Sequence, residues 1–524
     1  MAALAATATA GPEQPQRRAP QPPTTLPGDA ASHGTGDAGD WIVAVRPGSS
    51  AVGTRLARRH GARLVDRGLG LYVAPEPAAG RLARALRARG ALSYAEPNVD
   101  ATRAGLPADP LSGRQWWIPH IVPPELVPPP PGGTPVGIVD SGVDPTHPDL
   151  APHVTAGSPQ RADHDPGHGT SVASVVASAA NGVGIVGVLP GQPTAVFPSD
   201  SSCVDTVRAV RLASDVANVI NMSYGFDEGA CYSHFRATQR AVSRGVLPVA
   251  SAGNDLQKGN GRARPANDPH VLTVGALDQS LASAVFSNQN LGLDLTAPGV
   301  DIPVAVPVGT NASGYALADG TSFSAPIVAA IAHWLRRLRP GLSPDQAANA
   351  LRTSARDLGA AGRDRAFGFG LVDIAAALAA PKPRRDPREP NEDVEFVDGS
   401  NSIPRQSPLL GGRRAQRLHA GLDATADPMD VVPVRLRGGH VLDVKVIPKG
   451  ADVDVDVFKP AAPTVEYRRP PRTRLAAGRR NGLRRERASV ENPTGRAATV
   501  WVALFIGDRS LAADYDLRVR SRRA

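Results

Sequence analysis

Between Thr134 and Ala380 the chain repeatedly writes short apolar runs with no polar alternation, "TPVGIVD", "PTAVFP", "NVINMS", "VLPVASAG" and "VLTVGALD". Helical stretches such as "TVRAVRLASDV" and "HFRATQRAVSRG" separate them. A strand that is apolar on both faces must be covered on both faces. Strands of this kind divided by helices therefore predict an α/β domain with a parallel sheet flanked by helices. In such a fold, ligands meet the carboxyl ends of the strands. After Ser322, the residues Phe323, Ile327, Ala330, Ile331, Trp334, Leu335 and Leu338 recur at helical spacing, which predicts a helix with one buried stripe.

The remainder of the 524 residues has a different texture, and the length suggests about three domains. Residues 1–40 are Pro-, Gly- and Ala-rich and read as disordered or as a targeting remnant. The start, "MAALAATATAGPEQ", lacks a basic region and a long apolar core, so it reads at most as the tail of a signal peptide. Residues 41–100 read as a small α+β unit of three strands and two helices, with "AVGTRLARRHGARL" as the first helix. Residues 381–392 read as a charged, Pro-rich linker. Residues 393–524 alternate apolar and polar positions between Gly-containing turns, which predicts an antiparallel β-sandwich. The Arg-rich stretch "RRPPRTRLAAGRRNGLRRER" within it reads as a solvated loop. The formal charge is +9, but the Arg residues are scattered and no aromatics interleave them, so no nucleic-acid partner is expected. No apolar run is long enough to span a bilayer.

Four residues in the α/β region carry chemistry. A serine hydroxyl attacks a carbonyl only when a base takes its proton, and histidine is poised to do so near neutral pH. His168, in "DPGHGTSVAS", sits at the head of a small-residue helix, and Asp140, in "GIVDSGVD", ends an apolar strand. Asn254, in "VASAGND", also follows a strand and brings an amide donor to the same edge. Ser322, in "DGTSFSAP", opens the apolar helix, and Ser324 reads as a helix-turn residue. Singly these are weak signals, since Ser and Thr ordinarily recruit to helix starts. The order Asp, His, Ser is the order in subtilisin.

The chain resembles the subtilisin-like serine proteases over roughly residues 108–380. The matching stretches are "VDSGVDPTHPDL", "HGTSVAS", "INMSYG", "ASAGND", "GTSFSAP" and "GFGLVDIAAAL". Where the family usually has a second histidine this chain has Ser171. The resemblance implies a serine endopeptidase with Ser322 as nucleophile, His168 as base, Asp140 as its orienting carboxylate and Asn254 as oxyanion donor. It implies that Ser223, Tyr224 and Gly225 pair with an extended peptide and that Ala252 and Gly253 wall the first specificity pocket. Ala263 lies near the base of that pocket. The first α+β unit resembles the propeptide of many subtilases, which implies folding assistance, inhibition of the site and self-cleavage between Asn98 and Gln115, with a permanent accessory domain as the alternative. The C-terminal region resembles the pre-peptidase β-sandwich of secreted bacterial peptidases. Protein or peptide substrates, a secreted monomer and the propeptide as intramolecular inhibitor follow as expectations. A catalytically dead homologue and a narrow processing protease are the alternatives.

The resemblance also implies a structural calcium ion tying the start of the peptidase domain to the loop after the His168 helix. Its ligands would be Asn181, the carbonyls of Ala179, Val183 and Ile185, Asp149 in "THPDL", and Asp109, with Gln115 as the other N-terminal candidate. Alternatively, Asn181-Gly182 is only a turn and Asp149 a helix cap. The two cysteines, Cys203 and Cys231, each follow an apolar strand and would lie past strand ends at one edge of the domain. A disulfide is expected there, with two free thiols as the alternative.

Overall fold

The computed structural model describes residues 40–98, 109–157, 167–227, 229–386, 388–465, 473–508 and 510–524. The expectations for residues 1–39 and for most of the cleavage segment lie outside them. The chain divides into two compact units, residues 1–103 and 104–524.

The first unit has the order βαββαβ, with strands Asp40–Val45, Arg63–Asp66, Leu71–Pro75 and Leu92–Pro97. Helices Ser50–Arg59 and Glu76–Arg87 bury Leu56, Leu82 and Leu86 against its antiparallel sheet. One strand more is present than the sequence reading expected. The first helix stops at Arg59, Gly61 takes a φ of +72° that a side chain rarely tolerates, and "RLVD" then pairs with Leu71–Val73 as an edge strand. All four of its residues are exposed, so no apolar periodicity announced it.

In the second unit a seven-stranded sheet has the order Leu295–Pro298, Leu272–Leu277, Leu247–Ser251, Val219–Met222, Val136–Asp140, Thr194–Pro198, Val154–Ala156. Every neighbouring pair is parallel, as the unbroken apolar runs require. The helix Thr321–Leu338 packs across it and is itself covered by helices Gly167–Ala177, Pro344–Ser354 and Ile374–Ala379. It is therefore buried on all sides from Phe323 to Leu335, not along one stripe, and Leu338 is exposed. Cys203 and Cys231 are joined in a disulfide, Cα atoms 5.6 Å apart, at the heads of two helices that pack on one another and follow the strands Thr194–Pro198 and Phe226–Asp227.

Beyond residue 408, two four-stranded antiparallel sheets face each other across a single apolar core that includes Val434, Leu442, Val455, Val502 and Leu517. The Arg-rich segment is not wholly a loop, since Arg474–Gly478 forms an edge strand of one sheet. Nor is the stretch read as a linker free in solution. Asn391 and Glu392 are buried, and Asn391 accepts a hydrogen bond from Val431 N–H in the sandwich at 3.0 Å.

Candidate active site

Asp140 ends the strand Val136–Asp140, with a parallel neighbour on each side, and its carboxylate reaches the carboxyl edge of the sheet. His168 is the second residue of the helix Gly167–Ala177. The residue after it must be glycine. A Cβ on Gly169 would stand 1.9 Å from the carbonyl oxygen of Gly142, so the helix head touches the loop that follows Asp140. That approach brings His168 Nδ1 to 2.7 Å from Asp140 Oδ1. The same oxygen accepts the Ser141 N–H at 2.8 Å, while Asp140 Oδ2 is buried without a hydrogen-bond partner. The carboxylate is almost inaccessible, whereas the imidazole is 41% exposed and open to a reactant. Because the carboxylate can only accept, Nδ1 carries the hydrogen.

Ser322 is the second residue of its helix, after Gly320 and Thr321. Its hydroxyl points to the Ser223 carbonyl at 3.4 Å, and the Ser223 hydroxyl donates to the Ser322 carbonyl at 2.9 Å. Asn221 Nδ2 donates to the Ser223 hydroxyl at 2.9 Å, fixing the end of the neighbouring strand against the helix head. Ser324 is buried, with its hydroxyl on the Pro298 carbonyl, and has no access to the edge.

Asn254 lies beyond the strand Leu247–Ser251, and its orientation comes from Thr321, which sequence reasoning missed. Asn254 Oδ1 accepts both the Thr321 N–H at 3.0 Å and the Thr321 hydroxyl at 2.9 Å. With the carbonyl end engaged, the Nδ2 end is turned out. A Cβ built on Gly320 would lie 3.4 Å from Asn254 Nδ2 and 3.6 Å from the Ser322 backbone nitrogen. Two N–H donors thus flank one small space beside the serine.

Ser223, Tyr224 and Gly225 continue the strand Val219–Met222 outward, and Phe226–Asp227 pairs with Ala263–Arg264. Gly225 faces Ala263, whose Cβ would be 3.4 Å from a Cβ at Gly225. The Tyr224 hydroxyl lies 2.7 Å from His234 Nε2. Burial, and then the nearby Arg264, push His234 down to about 4, so it stays neutral and accepts from the tyrosine. Arg264 turns away from Gly225, its guanidinium over the rings of Phe235 and Tyr232 at 5.2 and 5.8 Å. Ala252 and Gly253 are held from behind by Asn288, which donates to the Ala252 carbonyl at 3.1 Å and to the Gly253 carbonyl at 3.0 Å. Ser171, where the family's second histidine would stand, donates to the Ala305 carbonyl at 2.9 Å and plays no part at the edge.

The residues expected to hold calcium also come together. Asp109 accepts the backbone N–H groups of Asn181 and Gly182 at 3.2 and 2.9 Å. Asp149 is fully buried. Its Oδ2 accepts the Ile185 N–H and the Tyr315 hydroxyl, and its Oδ1 has no hydrogen-bond partner. Asp149 caps no helix. Asn181 reaches the Pro148 carbonyl at 3.1 Å, and its own Oδ1 accepts the Val183 N–H. Gln115 is occupied otherwise, exchanging two hydrogen bonds with the backbone of Val186. Burial, with the Asp109 charge adding to it, pushes the Asp149 carboxyl up.

Residues 132–370 match the family described as Subtilase family. Fervidolysin of Fervidobacterium pennivorans is 36% identical over 288 residues, 47% of this chain and 41% of that protein. Subtilisin Savinase of Lederbergia lenta is 34% identical over 256 residues, 47% of this chain and 90% of that protein. The match thus spans about two fifths of fervidolysin but nearly all of the shorter relative. The solved structure of fervidolysin from Fervidobacterium pennivorans matches 91% of this chain and 92% of its own at 20% identity, with a TM-score of 0.49.

Proposed function

The chain belongs to the subtilase family of serine peptidases, and from that premise we propose that it is an endopeptidase working through an acyl-enzyme on Ser322. The observation that carries the reading is the 2.7 Å contact of His168 Nδ1 with a buried Asp140 at the sheet edge where the serine helix begins. Ser322 Oγ attacks the scissile carbonyl and its proton passes to His168 Nε2. Asp140 keeps the ring in the productive tautomer and stabilises its cation. The negative oxygen is taken up between Asn254 Nδ2 and the Ser322 N–H. His168 then returns the proton to the leaving amine, and a water repeats the sequence on the ester. An extended peptide adds as a strand along Ser223-Tyr224-Gly225, with Ala252 and Gly253 opposite. Labelling with a fluorophosphonate tests this. The wild-type chain after maturation is expected to label and Ser322→Ala not; an unlabelled wild type would overturn it.

The unit from Trp41 to Asn98 acts in this reading as a propeptide, and the chain as a secreted, self-processing monomeric zymogen. Ser322→Ala is expected to remain full length in a protease-deficient host. Trimming of that variant to the wild-type size would disprove self-processing.

A calcium ion fits beside Asp149. Its unpartnered Oδ1 and the Asp109 carboxylate repel one another unless a cation lies between them. Asn181 and the carbonyls of Ala179, Val183 and Ile185 would complete an oxygen set of the kind calcium takes. The ion's contribution would be to fasten the start of the peptidase domain, not to take part in the reaction. Calcium is expected to raise the melting temperature of wild type and to do so less for Asp149→Ala. Equal shifts in both would refute the assignment.

A further inference from the structure

The "EPNED" stretch and a histidine of the peptidase domain meet in a cluster that the proteolytic reaction does not use. His270, Glu389, Glu392 and Asp427 each direct a ligand atom into one spot, all four within 4.8 Å of one another. Peptidase and sandwich segments both contribute. His270 precedes the strand Leu272–Leu277, and its backbone N–H donates to the Ala426 carbonyl at 2.8 Å. Glu389 and Glu392 lie between the domains, and Asp427 precedes a strand of the sandwich.

Hydrogen bonds alone do not satisfy this cluster. His270 is buried, and its Nδ1 is 2.9 Å from Asp345 Oδ1. A carboxylate behind one ring nitrogen is the arrangement by which metal-binding histidines are oriented. The other nitrogen, Nε2, contacts two carboxylates at once, Glu392 Oε1 and, at 3.2 Å, Glu389 Oε2. One N–H can serve one of them well, whereas a cation serves both. The independent sign is at Glu392, which is 95% buried with its Oε2 lacking any hydrogen-bond partner, and Asp427 Oδ1 is unpartnered as well. A second set built from Asp386 and Asp430 shares Glu389 and Asp427, and Asp430, 1% exposed, leaves Oδ1 without a partner. A cleft lined by His270, Asp345, Asp386, Glu389 and Asp427 gives a path in from solvent.

We propose that His270, Glu389, Glu392 and Asp427 bind a divalent cation that clasps the peptidase domain to the β-sandwich, with Asp345 holding the imidazole in place. The carboxylates suit calcium or manganese, and the imidazole extends the range to zinc. The test uses the full chain carrying Ser322→Ala, stripped with a chelator and then dialysed separately against calcium, manganese and zinc chloride. Bound metal is measured by atomic emission and stability by thermal melting. At least one equivalent of one of these metals is expected to persist when Asp149→Asn removes the other proposed site, with a melting temperature that chelator lowers. Asp427→Asn, or His270→Gln should that variant not fold, is expected to lose that equivalent and the chelator response. If the Asp149→Asn chain retains no metal, or retains as much with Asp427 or His270 replaced as without, the cluster is a hydrogen-bonded ion group and the proposal fails.

Discussion

Gly320 stands between the two donors that the proposed mechanism asks to receive negative charge. Its φ of +149° is one that side chains rarely adopt, and a Cβ there would enter the space between Asn254 Nδ2 and the Ser322 N–H. Gly320→Ala is therefore expected to lower turnover by roughly 10²–10³, the range that loss of one such donor costs in subtilisin. Asn254→Ala should match it in kcat on a peptide substrate while retaining fluorophosphonate labelling. Unchanged kcat in both variants would mean that the oxyanion is bound elsewhere. Asp140, His168, Asn254 and Ser322 were legible because each stands at a strand end or helix head beside small residues. Thr321 was not. Its value lies in two hydrogen bonds to a residue 67 positions away, and sequence spacing carries no trace of such a contact.

At the scale of elements, the serine helix shows what a pattern can hide. Apolar periodicity predicts its buried face, but polar positions of the helix are buried too, among them His333. His333 Nδ1 lies 2.8 Å from Asn218 Oδ1 and its Nε2 has no hydrogen-bond partner. Burial, and then Arg337 and Arg336, hold it down at about 4. The unfolded imidazole titrates near 6.5. A folded value below the unfolded one means stability that is present above pH 6.5 and is lost as pH falls toward 4. The melting temperature of the Ser322→Ala chain is expected to decline over that window, and His333→Gln to flatten the decline. An identical pH slope in the two proteins would acquit His333. The disulfide belongs to this scale too, since it pins the heads of two adjacent helices 28 residues apart. Replacing both cysteines by serine should cost roughly 3–4 kcal/mol in chemical denaturation. A change under about 1 kcal/mol would show that the closed loop is already restricted in the unfolded chain.

At the scale of the molecule, the sequence divides at residue 381 in composition but the second unit does not divide there in packing. The charged, Pro-rich texture reads as a linker because contacts between distant segments leave no periodic mark. Phe396, fully buried, meets Phe235 of the disulfide-headed helix edge to face, with ring centroids 5.4 Å apart, and Ile403 completes the group. Around it Arg236 reaches Glu395 at 3.2 Å and Asn401 at 2.6 Å, and Tyr232 donates to Glu395. Arg363 bridges to Asp423 at 3.1 Å and to the Thr425 hydroxyl at 2.6 Å. The half-exposed Arg236–Glu395 pair contributes little by itself, whereas truncating the buried phenylalanine removes its transfer energy and leaves a cavity. Phe396→Ala is therefore expected to destabilise the Ser322→Ala chain by roughly 3–5 kcal/mol. Calorimetry supplies the sharper reading. Residues 109–524 should melt in one transition in the parent, and in Phe396→Ala the sandwich should separate from the peptidase domain as a second, resolved transition. If the parent already melts in two steps and Phe396→Ala moves neither of them, the two domains are joined only by the chain.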